Sequence, residues 1–587
     1  MPRKPSSSNT PILARCDWLI AIIVMILAAL PFLQVTNFSF VGYDDPLHVS
    51  EQPMVLSGLN QENLAWSLGA TSSNLWHPLT WISYMVDVSW FGGGAESPEV
   101  HHMVNLVLHL GATLLFFLLL RSLKVSTLVS ALVTLAFSVH PLHVEPVAWI
   151  SSRKDVLCAF FSLAALVCYT RLSSRDNRKA GWFWITLVTM AAAMTSKPSA
   201  VVIPVLFLLI DYVRHNANDP KKAFELRATL LRKWPYLALA SVVAATAIAV
   251  QYSGSHRDVI VQQDTLSRLA ALPASLGFYI QHVLWPSDLC FDYAAPKGQH
   301  FITLTIAGSS LLLGVSCLTW HMRHRFPAML VGWLWFLACL APVLGFFYVG
   351  PSFTADRYTY LAIAGPAITL AAFVDRYMGK RKLVISSILC AVVLILGWRS
   401  YSHTGIWKNN ECLFAYGVSA QPHSDLAQTN WARVCKLNGY DALALYHYHK
   451  ALSLNASRYY IIYNHIAYIQ YRTGDLEAAI QSCLLSLKGY DHYAPSHHLL
   501  GQLLEEQGSD LNTALTHLTR AYEIGSEQND PMTPKYGYSC ALAHAKRGNY
   551  PEAAEILQHA RKSKSATADD DKRINDLLEM LKPYLSR

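Results

Sequence analysis

Residues 18–33 read Trp18-Leu19-Ile20-Ala21-Ile22-Ile23-Val24-Met25-Ile26-Leu27-Ala28-Ala29-Leu30-Pro31-Phe32-Leu33, and ten residues further on comes Tyr43-Asp44-Asp45-Pro46. A helix needs roughly 20 mostly apolar residues to cross a bilayer, and this uncharged run with its flanks supplies them. Phe38, Phe40 and Tyr43 follow it in place of a small-residue cleavage site, so it reads as a retained span, not a signal peptide. Comparable stretches start near Met103, Thr127, Val156, Gly181, Ala200, Pro235, Phe301, Pro327, Thr359 and Leu383, eleven in all. A twelfth, 266–285, is apolar but holds Pro273 and Gly277, and reads as a re-entrant or interfacial helix.

The 587 residues are 52% apolar and 15% charged. Soluble domains average about 45–50% and about 25%, so a chain built only of soluble domains, a disordered chain and a disulfide-stapled mini-protein are excluded. Residues 1–398 carry 28 Lys/Arg against 20 Asp/Glu, whereas 399–587 carry 19 of each. The whole net charge of +8 therefore belongs to the membrane half, and speaks of topology and not of nucleic acid. With the N-terminus inside, 21 of the 28 cations fall in cytoplasmic loops, as basic loops should. Seven lie outside: Arg153, Lys154, Lys197, Arg257, Arg268, Lys297 and Arg357. A crossing at 266–285 would move Arg323 and Lys380–Lys382 outside and weaken that bias. Eleven crossings carry the C-terminal part out of the cytoplasm.

That part repeats. Gly-led turns stand at Gly439-Tyr440-Asp441, Gly474-Asp475-Leu476, Gly508-Ser509-Asp510 and Gly548-Asn549-Tyr550, spaced by 35, 34 and 40 residues. A small residue precedes each by seven positions (Ala432, Ala467, Gly501, Ala541), and others follow at Ala444, Ala479, Ala514 and Ala554. Two short helices pack closely only where small side chains let their backbones approach, and stacked pairs share one core; this is the tetratricopeptide pattern. Trp407–Pro422 is expected as a leading half-unit and Ile574–Leu585 as a cap. Tyr446, His447, Tyr448, His449, Tyr459, Tyr460, Tyr463, His497 and His498 either line a binding groove or pack between helices. Cys412, Cys435, Cys483 and Cys540 would meet an oxidising compartment, with no pairing legible.

The first outer loop, 37–101, contains Asp44, Asp45, Glu51, Glu62, Asp87, Glu96 and Glu99 and no Lys or Arg. A carboxylate pair at the membrane surface suits the deprotonation or orientation of a hydroxyl; the same letters also fit a solvated turn capping a helix. A second cluster runs from His140-Pro141 through Glu145 to Arg153-Lys154-Asp155, with Lys197 and Arg357 at equivalent outer ends. Cations kept there against the inside bias fit phosphate esters. They also fit neighbour pairs, Arg153 with Asp155 or Glu145 and Arg357 with Asp356. There is no P-loop, dinucleotide glycine fingerprint, HExxH or Gly-x-Ser-x-Gly.

Tyr43-Asp44-Asp45, Trp76-His77-Pro78-Leu79-Thr80, His101-His102 to His109, His140–Glu145, Arg153-Lys154-Asp155, Ser196-Lys197-Pro198 and Asp356-Arg357-Tyr358-Thr359-Tyr360 together resemble the transmembrane and tetratricopeptide-repeat-containing O-mannosyltransferase family. The chain departs from animal members at His77, where an Arg usually stands, and in its shorter repeat array. The resemblance implies an all-α chain: a membrane glycosyltransferase of the C-type fold over 1–400, then a repeat solenoid over 401–587; the short repeat array and the absence of an ER-retention signal lean towards a bacterial inner membrane with the solenoid in the periplasm. The resemblance also implies a polyprenyl-phosphate sugar donor and a Ser/Thr hydroxyl of a secreted or surface protein as acceptor, bound by the repeats. Asp44 or Asp45 would be the base; Arg153, Lys154, Lys197 and Arg357 would bind the donor phosphate; Glu145, His102, His77 and Tyr360 would position substrate. No metal site is implied, a divalent ion being at most optional. Two other readings remain: a non-enzymatic envelope scaffold, and the same transferase acting on a lipid or glycan.

Overall fold

The computed structural model describes residues 15–70, 76–172, 179–218, 224–253, 265–344, 353–454, 459–508, 511–528, 530–563 and 568–585. Among these there is no strand. The chain divides into two compact units, Met1–Ala420 and Gln421–Arg587.

In the first unit every expected span is helical: Arg15–Ala29 (with a 3-10 continuation to Asn37), Pro98–Ser122, Thr127–Ser138, Arg153–Leu172, Lys179–Ser196, Ile203–Asn218, Trp234–Ser253, Gly298–Met322, Pro327–Leu340, Ala364–Tyr377 and Lys382–Thr404. Six segments among the described residues are long and apolar enough to cross a membrane, and a seventh counts if Thr127–Ser138 and Pro141–Ala148, bent by 57°, form one broken span. Others, such as Pro327–Val343, are apolar but shorter. The chain is a multi-pass membrane protein. The stretch 266–285 forms one helix, Thr265–Leu284, with Pro273 inside it. It packs against Gly298–Met322 at Gly308, where any Cβ would collide with the Pro273 carbonyl.

The outer loop is not loose. Its helix Pro78–Phe91 is fastened by Thr80 Oγ1 donating to the Ser196 carbonyl (2.9 Å) and Tyr84 Oη to the Ile150 carbonyl (2.8 Å). Asp87, on the same helix, pairs with Arg153 at 2.7 Å.

The boundary between units lies twenty residues beyond the expected 400/401. Helix Asn410–Ala420, expected to lead the solenoid, belongs to the membrane unit because its apolar face is already covered there. Phe414 is fully buried with its ring 5.5 Å from Phe291, Gly417 has no room for a Cβ beside the Phe291 ring, and Trp407 stacks on Trp149 at 5.7 Å.

The second unit consists of antiparallel pairs Asp425–Leu437/Asp441–Ser453, Tyr459–Arg472/Leu476–Gly489, Ala494–Gln507/Leu511–Gln528 and Thr533–Lys546/Tyr550–Arg561, capped by Ala568–Leu585. Gly439, Gly474, Gly508 and Gly548 turn with φ of +78°, +87°, +69° and +80°, a region in which only glycine avoids a Cβ penalty. Ser509 and Asp510 of the third turn lie outside the described residues. Ala432, Ala467 and Ala541 are buried, as are Ala444, Ala479, Ala514 and Ala554 across from them. Gly501 replaces alanine because a Cβ there would sit 2.6 Å from Leu518 Cγ. Gly501→Val is therefore expected to cost about 1–3 kcal/mol by overpacking, read as a lower melting temperature of the solenoid. Of the aromatic candidates, Tyr448, His447 and His497 are packing residues, whereas Tyr446 and Tyr459 are exposed. Cys412, Cys435, Cys483 and Cys540 are free thiols.

Candidate active site

The two adjacent carboxylates have opposite environments. Asp45 is 1% exposed and engaged on both oxygens: Oδ2 accepts the Val41 N–H (2.9 Å), and Oδ1 accepts the Ser151 N–H (3.0 Å) and hydroxyl (2.5 Å). Although it stands at the start of the short helix Pro46–Ser50, its side chain caps nothing there. Asp44 is half-buried, and its carboxylate accepts no hydrogen bond from any described residue. Only its backbone carbonyl is used, by the His48 N–H (3.0 Å) and ring (3.1 Å).

Burial pushes the Asp45 carboxyl up to about 6, against the lowering effect of its three donors. The folded chain thus holds this proton more tightly than the unfolded one does. Its contribution to stability is complete below about pH 4 and is lost as the pH rises through about 6. Asp45→Asn cannot ionise. The melting temperature of the variant relative to wild type is expected to rise between those two pH values and to be level above them.

Beside the pair, Tyr43 packs its ring 5.2 Å from Trp149 and 5.3 Å from Phe291. Burial, then Asp292 and Asp44, raise its phenol well above the usual value, with Arg357 opposing; the base candidate and that cation therefore both act on one ring. Arg357 is held by Glu145 twice, through its side chain (2.5 Å) and its backbone N–H (2.8 Å), and lies 5.3 Å over Trp149 and 5.0 Å over Tyr358. Lys197 bonds Asp155 and lies 4.8 Å over the other ring of the group, Tyr358. Arg357 and Lys197 line a small cavity of about 40 Å³ with Asp155 and Tyr360, and Cys158, Ala200, Val202, Cys339 and Leu361 make its wall apolar. Lys and Arg side chains beside an apolar wall have the chemistry to hold a phosphate ester.

Arg153 does not line that cavity. It is fully buried, pairing with Asp87, bonding Asn105 Oδ1 and donating to the His101 carbonyl (2.8 Å). His101 bonds the same Asp87 carboxylate at 2.7 Å. Neither neighbour proposed for Arg153, Asp155 or Glu145, is its partner: they hold Lys197 and Arg357 instead. Lys154 is buried, donates to the Ser151 carbonyl (2.9 Å) and lies 5.7 Å over Trp149. It therefore braces the segment that holds Asp45.

Tyr360 reaches the cavity wall, with its hydroxyl bonded to His109 Nδ1 at 2.6 Å. His77 is buried and stacked on Trp81 at 5.0 Å. His102 is buried edge-on to Phe38 at 6.0 Å. Neither histidine lines the cavity. Ser151, Asp87, Asn105 and Trp149 are the residues that the sequence reading missed, because each acts on a partner far away in the chain.

Polytopic helices and a tetratricopeptide-like solenoid define the class: multi-pass membrane proteins with tetratricopeptide repeats. The family described as dolichyl-phosphate-mannose-protein mannosyltransferase matches residues 101–252. Human protein O-mannosyl-transferase TMTC1 is 24% identical over 65% of this chain and 48% of its own. Caenorhabditis elegans protein O-mannosyl-transferase F38B6.6 is 23% identical over 74% of this chain and 63% of its own. Human TMTC4 is 23% identical over 60% and 54%. The chain thus spans about half to under two thirds of the length of these relatives. A solved TPR protein with an unusual peptide-binding site, YrrB, aligns over 35% of this chain and 97% of its own at 14% identity, with a TM-score of 0.23, too low to carry an argument. The chain is thus similar to protein O-mannosyl-transferases, with a mannosyltransferase family match over residues 101–252.

Proposed function

We propose that this chain transfers mannose from a polyprenyl-phosphate donor to a Ser/Thr hydroxyl of a secreted or surface protein. The observation that carries the reading is the unengaged Asp44 carboxylate beside the fully engaged Asp45. A group reserved from internal bonding is free to accept the acceptor hydroxyl's proton as its oxygen attacks the sugar carbon. Arg357 and Lys197 neutralise the charge that develops on the departing lipid phosphate. Asp45 is a positioning residue: it ties Val41 to Ser151 and so fixes where Asp44 stands. Glu145 and Asp155 aim the two cations, and Tyr360, through His109, shapes the wall.

The repeats present the acceptor, in a periplasm if the membrane is a bacterial inner membrane. The test is transfer from radiolabelled polyprenyl-phosphate mannose to secreted proteins by the purified chain in lipid. Labelled protein that is stable to lipid extraction and released by mild alkali is expected. A folded chain that labels no protein from this donor overturns the reading.

A further inference from the structure

We propose that the first two repeats carry an anion site, built around Lys436 and the Tyr468 ring with Arg433 and Arg472 beside them, that takes a carboxylate from an acidic segment of a polypeptide. That this polypeptide is the glycosylation acceptor rests on the function proposed above; the site itself does not.

Lys436 projects from helix Asp425–Leu437 and is half-buried, and it has no carboxylate partner among the described residues. Its Nζ lies 3.2 Å from His465 Nδ1 and 5.1 Å over the Tyr468 ring. Arg472 places its guanidinium 6.0 Å over the same ring and donates to the Lys436 carbonyl (3.2 Å). Arg433, three residues before Lys436, lies on the same helix face. The nearby acid Asp441 and Arg472 are committed to each other, which leaves Lys436 as the cation that needs an anion.

His465 does not supply the missing charge. Burial, then Lys436 and Arg433, hold its ring down to about 3, so it is neutral and accepts from Lys436. The Lys436 ammonium is likewise held down to about 8, first by burial and then by Arg433 and Arg472. An ammonium drawn out of water among like charges is costly unless an anion completes it. Tyr468 is 47% exposed, which leaves the cluster open to solvent, and its ring offers an apolar floor for the methylenes of a Glu side chain.

The full-length chain in nanodiscs of zwitterionic lipid would be titrated with a fluorescent Ser/Thr-containing peptide bearing several Glu residues, and with the same peptide in which Gln replaces Glu. At least tenfold tighter binding of the Glu peptide is expected, weakening as salt is raised. Lys436→Gln combined with Arg433→Gln should bring the Glu peptide down to the Gln peptide's affinity, and Lys436→Arg should keep the preference, showing that charge and not packing was lost. Equal affinity for the two peptides, or an unchanged preference in the double variant, overturns the proposal. So does a site whose variants lose only binding to phosphatidylglycerol vesicles, since that would make it a lipid headgroup site. Preferential Glu-peptide binding without any mannose transfer would leave the site standing and remove the proposed activity; transfer with no Glu preference would do the reverse.

Discussion

Asp44→Asn is expected to lower transfer by about 10²–10⁴-fold, the range over which a positioned general base contributes, while leaving the chain folded. The fold should tolerate the change because no described residue donates a hydrogen bond to that carboxylate. Asp45→Asn should behave differently, since its two oxygens accept three donors and an amide has one oxygen to offer them. The comparison needs single-turnover rates with saturating donor, with melting temperatures measured on the same preparations. More than a tenth of wild-type rate in Asp44→Asn would remove it as the base, and a rate lost only together with the fold would assign it to structure.

The second large effect concerns stability. Arg153→Met leaves the Asp87 carboxylate buried and deprived of its cation, and breaking a buried pair from one side costs about 3–5 kcal/mol. The expected result is a membrane protein that loses its monodisperse peak in detergent or melts far below wild type. Adding Asp87→Leu should recover much of the loss, because replacing both partners by apolar groups removes the stranded charge along with its counter-ion. His101, which bonds the same carboxylate, limits the recovery. If Arg153→Met were stable but slow at low donor concentration, the guanidinium would belong to the donor after all.

What was legible in the sequence divides along one physical line. Periodic features read directly: the glycine turns at 439, 474, 508 and 548 and the buried alanines around them needed only local geometry and a repeat. So did the apolar stretches, each of which is helical. Charge pairing did not. Arg153 and Asp155 are two positions apart at the start of one helix and so point to different faces, which is why Arg153 turns to Asp87 and Asp155 to Lys197. Arg357 ignores adjacent Asp356 for Glu145, and Asp356 accepts from Tyr293 instead (2.8 Å). The different environments of Asp44 and Asp45 come from Ser151, whose letter carries no signal of its own.

The fastening of the outer loop also sets an order of assembly during synthesis. Asp45 leaves the ribosome early, yet its partner Ser151 follows 106 residues later, and Thr80 waits 116 residues for the Ser196 carbonyl. Chains grow at about 5–20 residues per second, so the carboxylates spend several seconds without the groups that place them. A nascent chain halted before Ser151 would display both acids and own no site. The proposed chemistry also needs Lys197 and Arg357, which follow Ser196 in the chain, so a half-inserted chain would be unable to act on the lipid donors around it.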